Sequence, residues 1–137
     1  MKHKVWLITG CSTGFGRELA IQVLNQGHMA VVGARKLKDV ADIVSMHPEK
    51  AIAVQLDVTK KEEIKASVDM AVETFGTIDV LVNNAGIGYF GAIEESEEDE
   101  VRKMFEVNFF GLAALTREVL PVMRGNRRGH IINISSI

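Results

Sequence analysis

Lys4-Val5-Trp6-Leu7-Ile8-Thr9-Gly10-Cys11-Ser12-Thr13-Gly14-Phe15-Gly16 is the stretch on which the fold turns. An apolar run of single-strand length leads straight into three glycines, and a helical pattern over Phe15–Gln26 follows. Glycine permits positive φ and lets backbone approach a bound group with no side chain between them. The helix begins near Gly14, so its unpaired N–H groups and positive dipole end point at any anion resting on the turn. The spacing is G-x-x-x-G-x-G rather than the better-known G-x-G-x-x-G. Three glycines alone are a weak sign; their place between a buried strand and a helix carries the argument for a dinucleotide's diphosphate.

Outward from that turn, short apolar runs alternate with longer helical patterns. The strand candidates are Lys4–Thr9, Met29–Ala34, Ala51–Leu56, Ile78–Asn83 and His130–Ser135. They are nearly continuous in Val, Ile, Leu and Ala, as strands covered on both faces of a parallel sheet must be. The helix candidates are Phe15–Gln26, Leu37–Met46, Lys60–Phe75 and one long helix, Glu97–Met123. This alternation predicts an α/β fold, a doubly wound parallel sheet of order 3-2-1-4-5 with its switch point between strands 1 and 4. Residues 1–137 form one dinucleotide-binding domain with short loops. Gly27 suits a C-terminal cap of the first helix, and Asp57 with Thr59 suits the start of the third.

Bulk properties narrow the partners. The 137 residues are 47% apolar and 25% charged with net charge −2, which gives no electrostatic reason to expect nucleic acid or an anionic membrane. No apolar run approaches the ~20 residues of a membrane span. The single cysteine, Cys11, forms no intrachain disulfide, and a reducing, cytoplasmic setting is expected. The acidic run Glu94 to Glu100 reads as a helix first turn and a solvated face rather than a metal site, because no convergent ligand set accompanies it.

Further motifs recur in order: Asp57-Val58, Asn83-Asn84-Ala85-Gly86, Asn108 within Val107-Asn108-Phe109-Phe110-Gly111, and Asn133-Ile134-Ser135-Ser136. Together with the glycine turn they resemble the ordered motifs of the short-chain dehydrogenase/reductase family, from one end of the chain to the other. The resemblance implies that Gly10, Ser12, Thr13, Gly14, Phe15 and Gly16 hold the cofactor's phosphates. It implies that Asp57 and Val58 meet adenine, and that Asn83, Ala85 and Gly86 border the adenosine ribose. The Asn amides are also expected to tie neighbouring strands together.

The second strand ends Val32-Gly33-Ala34-Arg35-Lys36. Ala34 stands where NAD-preferring members carry an acid, and Arg35 follows with a fork suited to a 2′-phosphate. NADP is therefore the expected cofactor, with NAD second. Asn108 and Ser136 are the expected catalytic residues, with Asn108 placed in the buried stripe Val101, Met104, Phe105, Leu112, Leu115, Val119 and Leu120. The family's Asn carbonyl holds a water of a proton relay, and its Ser hydroxyl bonds the substrate oxygen. Ser135 is expected to be structural.

A Tyr-x-x-x-Lys acid–base pair belongs to the same family, yet the only tyrosine here is Tyr89, with Ile93 four residues on. The expectation is an oxidoreductase of alcohols and ketones or aldehydes, represented by a fragment that ends after strand 5 and is inactive alone. Strand 5 would then be a bare edge, with Phe109 and Phe110 facing water, and the whole enzyme would be a homo-oligomer built partly on the long helix. The alternatives are a non-catalytic NAD(P)-binding module or a doubly wound domain for another nucleotide such as S-adenosylmethionine. The latter leaves Asn108 and Ser135-Ser136 unexplained.

Overall fold

The computed structural model describes residues 3–136. Five parallel strands, β1 (Val5–Ile8), β2 (Met29–Ala34), β3 (Ala51–Gln55), β4 (Val80–Asn83) and β5 (His130–Asn133), form one sheet in the order β3-β2-β1-β4-β5. The expected order is therefore observed. Register is continuous through the centre: Ile8 lies opposite Val32 on one side and Val82 on the other, and Asn83 pairs with Asn133 at the far strand.

Because side chains alternate along a strand, each central strand feeds two cores. Val5, Leu7, Val31 and Leu81 pack on one face with Ile64, Val68, Leu115 and Val119. These come from α3 (Lys61–Phe75) and α5 (Leu112–Gly125). Ile8, Val32, Val80 and Val82 pack on the other with Ala20, Val23, Leu24 and Ile43, from α1 (Gly14–Asn25) and α2 (Ala41–Met46). Helix α1 stops in a Schellman arrangement. Gly27, at φ +88°, donates its N–H to Leu24 O (3.0 Å), and His28 donates to Val23 O (3.2 Å), so glycine supplies the left-handed residue the motif requires.

Three local expectations are corrected. The single long helix is three pieces: α4 (Glu98–Phe105), a π-helical turn at Glu106–Gly111, and α5. A π turn accommodates an extra residue and offsets the faces on either side of it. The apolar stripe is accordingly buried only in α5, at Leu115 and Val119, whereas Phe105 is 53% exposed. Thr59 does not cap α3; Lys60 holds the N-cap position without a side-chain bond. The connection over residues 84–97, expected to be short, is long and contains only a single 3₁₀ turn at Ile93–Glu95.

The far strand ends at Asn133, two residues earlier than the run suggests, and Ser135 and Ser136 continue as exposed coil. Ile134 still donates its N–H to Asn83 O (3.0 Å), holding that coil beside β4. Strand β5 is the outer strand, with His130 and Asn133 exposed. No helix among the described residues is long and apolar enough to cross a membrane.

Candidate functional site

The turn after β1 is built as a rigid platform. Gly10 and Gly14 have φ of +66° and +61°, conformations that an L side chain rarely adopts. A Cβ at Gly16 would collide with the Asn84 amide nitrogen and the Gly10 carbonyl oxygen. That absence of side chains lets α1 start directly under the turn. Thr13 is its N-cap residue and makes no side-chain cap bond, so first-turn N–H groups stay available for an external acceptor. Cys11 lies beneath the turn, fully buried, its thiol on Ile8 O (3.2 Å). Burial pushes that thiol up to about 12, against smaller opposing effects of the Gly33 backbone and the Arg17 charge, so it is a packing residue.

The platform is stitched to the end of β4. Buried Thr9 accepts at Oγ1 from the Asn84 and Ala85 N–H groups at 2.9 and 2.8 Å. Asn84 Nδ2 returns bonds to the carbonyls of Thr9 (3.3 Å) and Gly10 (3.2 Å). Asn83 faces the other way: its Nδ2 donates to Thr116 Oγ1 (3.1 Å) and Asn133 Oδ1 (2.9 Å), joining β4 to α5 and β5. Both amides thus bind elements together.

A cleft of ≈ 390 Å³ opens at this carboxyl-terminal edge of the sheet, within the size range of small-molecule sites. Of the residues singled out in the sequence, Gly10, Ser12, Thr13, Arg35, Asp57, Val58, Ala85 and Gly86 line it, as does Ala34. Gly14, Phe15, Gly16, Asn83, Asn108 and Ser136 do not. Gly14 and Gly16 shape the turn from below, and the Phe15 ring is 59% exposed on α1. Six lining residues, Leu56, Thr59, Asn84, Ile87, Lys103 and Val107, were not among the candidate site residues read from the sequence. Val107, which opens the motif around Asn108, and Lys103 lie about one turn apart on the α4 side, and that spacing is the only trace of Lys103 in the sequence.

Asp57 closes β3 at the cleft. Its Oδ1 accepts from the Thr59 N–H (3.0 Å) and hydroxyl (2.6 Å), while its own N–H donates to Glu63 Oε1 (2.9 Å). Partial burial opposes ionisation of Asp57. The Thr59 bonds, with the charges of Lys60 and Arg35, outweigh it and hold the carboxyl below the usual aspartate range. A carboxylate with a free oxygen is therefore present at neutral pH to accept from an amino group.

Asn108 is exposed, not buried as the stripe suggested, because the π turn rotates it off the packed face. Its amide is nevertheless fully engaged: Oδ1 accepts from the Ile87 N–H (2.9 Å) and Nδ2 donates to the Ile87 carbonyl (2.8 Å). This pins the segment after Gly86 to the π turn and leaves the Asn108 backbone carbonyl in a non-α-helical geometry. Ser136 follows β5 on the same sheet edge and is exposed. Tyr89 accepts at its hydroxyl from the Glu97 N–H (2.9 Å), next to the start of α4. Among the described residues, no three His, Cys, Asp or Glu side chains converge to hold a metal ion.

Glycine turn, bare helix N-terminus, carboxylate and cation on one edge define a dinucleotide-binding doubly wound domain. Comparison with known proteins makes the class specific. A profile of the short chain dehydrogenase family matches residues 4–137, and the chain belongs to that family. It is 40% identical, over 137 residues, to 3-ketodihydrosphingosine reductase of Bacteroides thetaiotaomicron, covering 100% of this chain and 48% of that protein. The crystal structure of 3-ketoacyl-(acyl-carrier-protein) reductase from Brucella melitensis, complexed with NADH, superposes with TM-score 0.92 at 33% identity. It covers 97% of this chain and 57% of the other. A metagenomic short-chain oxidoreductase in complex with NADP gives 0.89 at 31% identity, over 98% and 62% of the two chains. The chain thus spans about half the length of the first of these relatives.

Proposed function

We propose that this chain is the cofactor-holding part of an NADP-preferring oxidoreductase that interconverts an alcohol and a ketone or aldehyde. One observation carries the reading: the cleft gathers the Gly10 turn, Ala34-Arg35, Asp57 and Ala85-Gly86 into one site. The site fits a dinucleotide on its own terms. The glycines let the turn pack closely on the β4 end, Ser12 and Thr13 line the cleft, α1 has no side-chain cap on its first-turn N–H groups, and a cation and a carboxylate line the same cleft. When bound, the nicotinamide would supply or take the hydride; the chain's residues do everything else.

In this reading Ser12, Thr13 and the glycine-turn N–H groups hold phosphate. Asp57 accepts from the adenine amino group, with Val58 against the ring. Asn83 sets the strand end from which Ala85 and Gly86 run beside the ribose. Arg35, exposed and without a hydrogen-bonded partner among the described residues, is left to meet a 2′-phosphate. The apolar Ala34 beside it removes the repulsion that an acid would bring. Ser136 would donate to or accept from the substrate oxygen, and the Asn108 carbonyl would hold a water for proton delivery. Tyr89 has no place in this chemistry, since its hydroxyl serves the Glu97 N–H. Two of the relatives above are ketone reductases by name, which supports a carbonyl substrate.

Calorimetric titration with NADPH and NADH tests the proposal. NADPH is expected to bind at least ~10-fold tighter, the scale of one charge-assisted contact, and Arg35→Asp is expected to reverse the order. An unchanged ratio in that variant would sink the NADP assignment; no binding of either nucleotide would sink the function.

A further inference from the structure

Lys103 lines the same cleft as Arg35 from a different element, and the sequence gives no hint that it should. It belongs to the last turn of α4, and Val107, one turn on, lines the same cleft. Gly111 fixes where this wall sits: a Cβ there would fall within 2.9 Å of the Val58 carbonyl oxygen, so the π turn is pressed against the end of β3. Lys103 thus lines, from α4, the same cleft that Asp57, Val58 and Arg35 line from the sheet side.

Its charge is uncommitted. Asp99 and Glu106, four residues before and three after, are ready helical partners, and neighbouring Arg102 does pair with Glu98 (3.0 Å). Lys103 forms no ion pair or hydrogen bond among the described residues. Lys60, the other lysine near Asp57, is occupied by Glu63 (3.7 Å). Two cations that form no ion pair or hydrogen bond among the described residues therefore line one cleft from different elements, Arg35 after β2, with Asp57 as a charged neighbour, and Lys103 from α4. The only acid lining the cleft is Asp57, which is committed to Thr59.

We propose that Lys103 is a second specificity residue for NADP, closing over the 2′-phosphate from the side that Arg35 does not reach. The inference rests on the NADP reading above. A dianionic phosphate between two unlike cations is held by the planar fork of Arg35 in direction and by the flexible ammonium of Lys103 as a point charge. Being solvent-exposed, the lysine contributes a modest, salt-screened share.

The test uses this chain with NADPH and NADH, and with 2′,5′-ADP and 5′-AMP as minimal probes. Lys103→Gln is expected to weaken NADPH and 2′,5′-ADP roughly fivefold at low salt, and NADH and 5′-AMP less than ~twofold. Lys103→Arg should restore most of the loss, and the difference should shrink at high ionic strength. Unchanged NADPH affinity in Lys103→Gln would overturn the inference. Equal weakening of both cofactors would also overturn it, because that places the lysine on the shared diphosphate. Wild-type protein that binds NADPH while Lys103→Gln has no effect refutes Lys103 alone; wild-type protein that binds no nucleotide refutes the function on which it rests.

Discussion

Thr9 shows how one hydroxyl can hold a site together. It sits at the last position before the glycine turn, 1% exposed, and its single oxygen accepts two N–H groups from the end of the neighbouring strand. Thr9→Val keeps the shape and removes the shared acceptor, leaving the Asn84 and Ala85 N–H donors unpaired. The expected loss is ~1–3 kcal/mol in chemical denaturation, with weaker NADPH binding because the turn and the β4 end separate; an unchanged midpoint and affinity would contradict this role.

Cys11 makes the reverse point, since a lone cysteine in a glycine turn beside a cleft invites a catalytic reading that its surroundings deny. With its thiol raised from 9.0 to about 12, it stays protonated and slow to alkylate in the folded state at pH 8, and reacts on adding denaturant. The unfolded chain releases the proton first, so stability from this group is intact below about 9.0 and falls as pH rises from there to about 12. Fast alkylation of native protein, or alkaline stability with no decline over that interval, would contradict it.

At the scale of elements, the π turn is the decisive device. An unbroken helix from Glu98 to Gly125 would keep Asn108 on the same face as Leu115 and Val119 and hide it. The extra residue turns it outward, where its amide brackets Ile87 from both sides. The same turn puts Phe109 and Phe110 outside, 57% and 54% exposed and edge-to-face at 5.1 Å. Gly111 is required at the crossing because Val58 occupies the space any side chain would need. The carboxylate of Asp57 and its two bonds from Thr59 set the other wall before α3 begins.

For the molecule as a whole, the two faces of the sheet are unequally served. The centre of the sheet is fully packed on both sides, but β5 is the outer strand with Ile131 and Ile132 only half-buried, and Phe105 of α4 with Phe109 and Phe110 of the π turn are exposed apolar side chains. Apolar area of that kind drives association. The chain of 137 residues is expected to self-associate with concentration in analytical ultracentrifugation, and Phe109→Ser with Phe110→Ser is expected to shift it toward monomer. A wild-type chain that stays monomeric across the range would remove this face as an association surface.

The sequence by itself determined the layering, the strand order and the glycine turn, because each is written in local periodicity: apolar runs of strand length, a 3.6-residue pattern between them, and glycines where backbone must pass closely. It also placed eight of the lining residues, since motifs at strand ends are carried to one edge by the topology of parallel strands. Only the tertiary structure decided the rest. The fate of Asn108 depended on one extra residue in a helical turn, a change too small to alter the hydrophobic pattern. Thr59 does not cap α3 because the helix starts at Lys61, which leaves Thr59 one residue before the N-cap, where its N–H and hydroxyl donate to Asp57. Lys103 shares a cleft with Arg35 and Asp57 only in the folded chain, because residues far apart along the sequence meet there and no local pattern encodes that.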